Sequence, residues 1–133
     1  MGQQQLLLLV LGIVIVGLAV VVGIQAFSEN QAKANVDAMT NDAIRFASDS
    51  QAWALKPTAF GGGDGAFTGA SFKVLGLDST NANGSYALAV VNASEATITA
   101  TSANDSNRKV AVRICGFDSD DIKTAVGDTA PSC

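Results

Sequence analysis

Cys115 and Cys133 are the side chains of this sequence best suited to covalent chemistry, and they are its only two cysteines. They enclose Gly116 to Ser132 at the C-terminal end. In an oxidising compartment such a pair forms a disulfide, and closing a loop of this size is worth roughly 3 kcal/mol in the chain-entropy model. Two free buried thiols are the alternative. Inside the loop, Asp118-Ser119-Asp120-Asp121 has the oxygen density of a calcium site but lacks the ligand spacing and closing glutamate of an EF-hand. The competing expectation is a short helix through Val126, capped by Ser119, with Asp120 and Asp121 favourable in its first turn. Phe60-Gly61-Gly62-Gly63-Asp64-Gly65 has the glycines of a phosphate loop, yet no Gly-Lys-Ser/Thr follows and no strand precedes it. It reads as a flexible connector. Three Asn-x-Ser tripeptides, at Asn83, Asn92 and Asn104, are candidate glycosylation sites in predicted turns, beside Ser and Thr side chains that could carry sugar equally well.

What is missing narrows the class further. There is no histidine, which removes the usual general base and the commonest transition-metal ligand. The formal net charge of −4 argues against nucleic acid as a stoichiometric partner, because phosphate neutralisation needs a basic surface. Phe46 and Trp53 could be drawn as an electron path, but core packing is the simpler use of two aromatics. No catalytic, cofactor-binding or metal-binding set is expected, and the chain does not read as an enzyme.

The elements that would carry these residues begin with Leu6 to Ile24, a run interrupted by no polar side chain; nothing before Glu29 is charged. About 20 residues at ~1.5 Å rise span a ~30 Å hydrocarbon core, so the run is long enough to cross a bilayer. It lacks the basic start of a secretory signal, and its apolar stretch exceeds the usual ~7–15 residues. Ser28 to Lys56 continues as an amphipathic helix. Val36, Met39, Ala43, Phe46, Ser50 and Trp53 alternate in steps of three and four, which places them on one face. Glu29 with Lys33, and Asp42 with Arg45, stand at helical ion-pair spacing. Pro57 ends the helix, because the residue before a proline is pushed out of the α region.

Beyond the connector the texture is β. Phe72 to Leu77, Tyr86 to Asn92, Ala96 to Thr101 and Lys109 to Cys115 are short β-branched or aromatic runs between turn clusters. Loops this short predict antiparallel pairing, with one sheet face covered by the Val36/Met39/Phe46/Trp53 stripe. The expected fold is α+β: a long N-terminal helix whose apolar half projects, a small four-stranded antiparallel sheet and a C-terminal disulfide loop. The expected divisions are 1–27 (apolar helix), 28–56 (amphipathic helix) and 57–133 (globular β head).

Together these features resemble a type IV pilin or type IV pilin-like major subunit. The residues that carry the resemblance are Met1-Gly2-Gln3-Gln4-Gln5-Leu6-Leu7-Leu8-Leu9-Val10-Leu11-Gly12, the helix to Lys56, and Cys115 with Cys133. In that family a leader is cut after a glycine and the new terminus is methylated, which implies that Met1 is the processed, methylated first residue of a mature chain. Two positions depart from the family pattern. Gln5 stands where a glutamate usually partners a neighbour's N-terminal amine; its carbonyl accepts a hydrogen bond but brings no charge. Val22 stands where a proline is usual, and Gly12, Gly17 and Gly23 are candidates either for loosening the helix or for close helix–helix approach.

The resemblance implies a structural subunit of an extracellular filament, a homopolymer built by packing Gln5, Leu6, Leu7, Leu8, Leu9, Val10, Leu11, Ile13, Val14 and Ile15 against the same residues of other copies. Its implied partners are further copies of itself, the inner membrane before assembly and the pilus assembly machinery. Adhesion and motility are among the uses such a filament would serve. The alternatives are a pseudopilin of a secretion system and a single-span, membrane-anchored binding domain.

Overall fold

The computed structural model describes residues 2–133. Helix α1 runs without interruption over Gly2–Leu55, a length of about 80 Å at the standard rise. It passes through Gly12, Gly17, Val22 and Gly23 as regular α-helix and stops two residues before Pro57. By internal contacts the chain forms two compact units, 1–34 and 35–133. The head therefore includes the last part of α1.

In the head, a turn of 3-10 helix (Thr58–Phe60) and a short helix α2 (Phe72–Leu75) precede β1 (Gly84–Asn92), β2 (Glu95–Ser102), β3 (Lys109–Ile114) and β4 (Ile122–Val126). The strands form an antiparallel meander in the order β1-β2-β3-β4. Alternation puts Ala96, Ile98, Ala100 and Ser102 of β2 on the covered face, and Thr97, Thr99 and Thr101 on the other. Met39, Ala43, Phe46, Ala47 and Ala54 of α1 close over this face with Ile98, Val110, Val112 and Ile114. Small residues at 43, 47 and 54 let the helix lie close to the sheet, and Phe46 fills the gap beside them. Its ring meets those of Tyr86 and Phe72 edge-on, at centroid distances of 4.8 and 5.3 Å.

Three sequence expectations are corrected. Phe72 to Leu77 is not a strand. Ser71 Oγ accepts the Val74 N–H and Gly76 closes the turn at φ +71°, so cap and stop signals five residues apart define one helical turn that buries Phe72. The fourth strand is instead Ile122–Val126, expected as helix. A single 3-10 turn, Ser119–Asp121, is all that follows Asp118, and Ser119 lies inside it rather than capping it. Ile122 and Val126 then pair with Ile114 and Val110 of β3, whose exposed edge outweighs the weak helical tendency of Ile122-Lys123-Thr124. The glycine-rich connector is not a loose tether. The N–H groups of Gly63, Asp64 and Gly65 donate to the carbonyls of Trp53, Lys56 and Ala54, satisfying acceptors that the end of α1 leaves open. A Cβ at position 63 would overlap the Ala66 carbonyl and crowd the Trp53 ring, which requires glycine there.

The Cys115–Cys133 disulfide is formed, with Cα atoms 5.7 Å apart. It ties the segment after β4 back to the end of β3.

Candidate assembly surface and polar anchors of the head

The residues expected to drive assembly lie on α1, and none is buried. From Leu6 to Ile24 every large apolar side chain is 52–69% exposed. Successive residues of a helix point about 100° apart, so a run with no polar position covers the whole circumference. Gln5, Leu6, Leu7, Leu8, Leu9, Val10, Leu11, Ile13, Val14 and Ile15 belong to this surface. A Cβ placed on Gly12, Gly17 or Gly23 would meet nothing within 4 Å. The expectation for Met1 lies outside the described residues. Among the described residues, one helix, α1, is long and apolar enough to cross a membrane, with a mean hydropathy of 3.2 over its most apolar window.

The head presents a different chemistry. Asp42 lies one residue before Ala43, at the margin of the buried stripe, and its Oδ2 accepts three hydrogen bonds. They come from Asn83 Nδ2 (2.8 Å), Tyr86 Oη (2.8 Å) and Asn81 Nδ2 (2.9 Å). Burial pushes the Asp42 carboxyl up, but the three donors and the charge of Arg45 outweigh it and hold its pKa below the ordinary carboxylate value. Burial, followed by the bond to Asp42, pushes the Tyr86 phenol up to about 12. The expected Asp42–Arg45 ion pair does not form; Arg45 lies 4.0 Å from Asp49 on the exposed side of the helix.

Two further anchors tie α1 to the sheet end and to the disulfide loop. Asn35 accepts from Ser102 Oγ at 2.6 Å and donates to the Asn83 carbonyl at 3.1 Å. Gln51, buried, donates to the carbonyls of Gly116 and Asp118 at 2.9 Å each. None of the three anchors is among the sites expected from the sequence. Asp42 could have been found from its spacing: three residues from Met39 and four from Phe46, it borders the buried face and must find donors there.

The acidic loop is a turn, with the Asp118 N–H donating to Asp121 Oδ2 at 3.1 Å. Among the described residues, no three His, Cys, Asp or Glu side chains converge as a metal-ligand set. The three sequons differ. Asn83 uses its amide nitrogen on Asp42. Asn92 ends β1 and Asn104 lies in the β2–β3 loop; both are exposed, and Asn92 Oδ1 accepts from the backbone and hydroxyl of Ser94. No protein-family model, curated protein or solved structure matches this chain.

Proposed function

We propose that the chain is a structural subunit of a type IV pilus-like filament, held in a membrane before assembly and displayed at the cell surface afterwards. One observation carries the reading: α1 exposes apolar side chains all around its N-terminal half, while the same helix forms the core of a folded head. A surface of that kind is stable only in lipid or against similar helices. At ~25 cal/mol per Å² of apolar area, exchanging one for the other keeps it out of water throughout. The small residues Gly12 and Gly17 allow close helix–helix approach, and Gln5 supplies a neutral acceptor near the terminus. No reacting group is required by this role.

Negative-stain microscopy of material sheared from cells that express the chain tests the reading. Long fibres that bind antibody raised against the head are expected. Short stubs confined to the envelope would favour a pseudopilin, and protein found only in detergent-solubilised membrane would replace the filament by a single-span anchored domain.

A further inference from the structure

Asn83-Gly84 is the one Asn-Gly step in the sequence. Asparagine followed by glycine is prone to spontaneous deamidation, because a glycine offers no side chain to hinder attack by its own backbone nitrogen. The fold holds both reacting groups apart from this chemistry. The Gly84 N–H, which must be free to attack, donates to Asn81 Oδ1 at 3.1 Å. The Asn83 amide nitrogen, which must leave, donates to Asp42 Oδ2 at 2.8 Å. The Asn83 carbonyl, whose peptide plane must rotate, accepts from Asn35 Nδ2 at 3.1 Å and from the Ala103 N–H at 3.2 Å.

The same contacts explain why both residues stand there. Gly84 is buried, and a Cβ on it would overlap the Thr101 carbonyl and press on Met39 Sδ at 3.3 Å. Asn83 supplies a donor that Asp42 requires, and an aspartate in its place could not. A step that is labile in an open chain is thus demanded by the closed one.

We propose that Asn83 is a modification site guarded by the fold: the head suppresses its deamidation while closed, and opening of the β1 entry licenses it irreversibly. In the step, the Gly84 nitrogen bonds to the side-chain carbonyl carbon of Asn83. The carbon–nitrogen bond of the amide breaks, and ammonia leaves with the Gly84 proton. Water then opens the resulting succinimide at either carbonyl, giving aspartate or isoaspartate; no oxidant or cofactor takes part. The product does not reclose as before. It removes one donor from Asp42 and sets a second carboxylate at hydrogen-bond distance from it, a pair that cannot comfortably carry two charges. Isoaspartate also lengthens the backbone at a point held by Asn35 and Ala103. The chemistry therefore records opening events and keeps opened heads from returning to the native state.

The test follows deamidation at position 83 by peptide mapping and mass spectrometry in mildly alkaline buffer. Three samples are compared: the intact full-length chain in detergent micelles, the same chain in sub-denaturing urea, and a synthetic peptide covering Asp78 to Leu88. The intact chain should deamidate at least roughly tenfold more slowly than the peptide, since reaction waits on local opening. Urea and the variant Asn81→Ala should both move its rate toward that of the peptide. Equal rates in the intact chain and peptide would overturn the guarding role, and so would a rate that urea leaves unchanged. The variant Asn83→Asp checks irreversibility. It should melt below the parent at neutral pH and regain most of the difference in acid, where the two carboxylates share a proton; equal melting at neutral pH would contradict it.

Discussion

The two halves of α1 share a backbone conformation and differ in almost everything else. Its N-terminal half has no polar side chain from Leu6 to Ile24 and leaves all its large apolar residues there exposed. Its last five turns mix charged and apolar residues, yet bury Met39, Ala43, Phe46, Ala47 and Ala54 against the sheet. The half with more apolar surface is the half whose large apolar side chains stay exposed. The packed half finds its cover in the intramolecular sheet; under the proposed function, the other half finds it in lipid or in other subunits.

Separating the halves should produce the largest effect. A chain beginning at Ser28 keeps every residue of the core cluster and the anchors from Asn35 onward. It is expected to be soluble without detergent and monomeric by analytical ultracentrifugation, with the near-UV circular dichroism of the intact head. A truncated chain that stays insoluble, or that polymerises, would break the division between the halves.

Damage to the packed half should act in the opposite sense. Phe46→Ala leaves a void between Phe72 and Tyr86 and is expected to destabilise the head by about 3–5 kcal/mol in urea unfolding. The N-terminal half should remain helical in detergent in the same variant. Next in size is the disulfide. Cys133→Ser should cost roughly 3 kcal/mol of head stability and loosen β4 first, read as faster hydrogen exchange over Ile122–Val126 than over Ala96–Thr101.

The smallest effect concerns pH. Asp42 has its pKa lowered on folding, so its contribution is present above the unfolded value of 3.8 and is lost as pH falls through the lower folded value. Tyr86 is raised on folding from 10.0, so its contribution is intact below pH 10 and is lost as pH rises toward about 12. The melting temperature of the Ser28 chain should fall at both limits. Asp42→Asn should flatten its share of the acid limb, leaving the other carboxylates to shape the rest. An unchanged acid limb in that variant would show that the three-donor cluster does not couple to folding.

Legibility in the sequence followed the range of the forces involved. The helix, its stop at Pro57, three strands and the cysteine pair are written in local patterns: uninterrupted apolarity, steps of three and four, alternation, and a proline. Ile122–Val126 follows the helix-start signals of Ser119 and Asp120, but its fate is decided by pairing with β3, which those local signals do not contain. Phe72 to Leu77 has the apolar content of a strand, but Ser71 and Gly76 punctuate it as a helical turn. The glycines after Phe60 looked like freedom, whereas their N–H groups are needed by the carbonyls at the end of α1. The partners of the polar anchors are illegible for a related reason. Asp42 borders the buried stripe by its spacing, but Asn35 and Gln51 look like ordinary surface residues until the loops carrying Asn83, Ser102 and Gly116 are brought to them.

The central claim, that the N-terminal half of α1 is the assembly element, is tested most directly by Val16→Asp in the full-length chain, with fibres counted by electron microscopy. A carboxylate placed among dry helices without a partner costs several kcal/mol, whereas Val16 is not one of the residues that make up the head core. Fibres should be abundant with the parent chain and absent with the variant, while the variant head retains the parent's near-UV circular dichroism and melting temperature. Equal fibre yield from the two chains would contradict the account and move the assembly surface to the head.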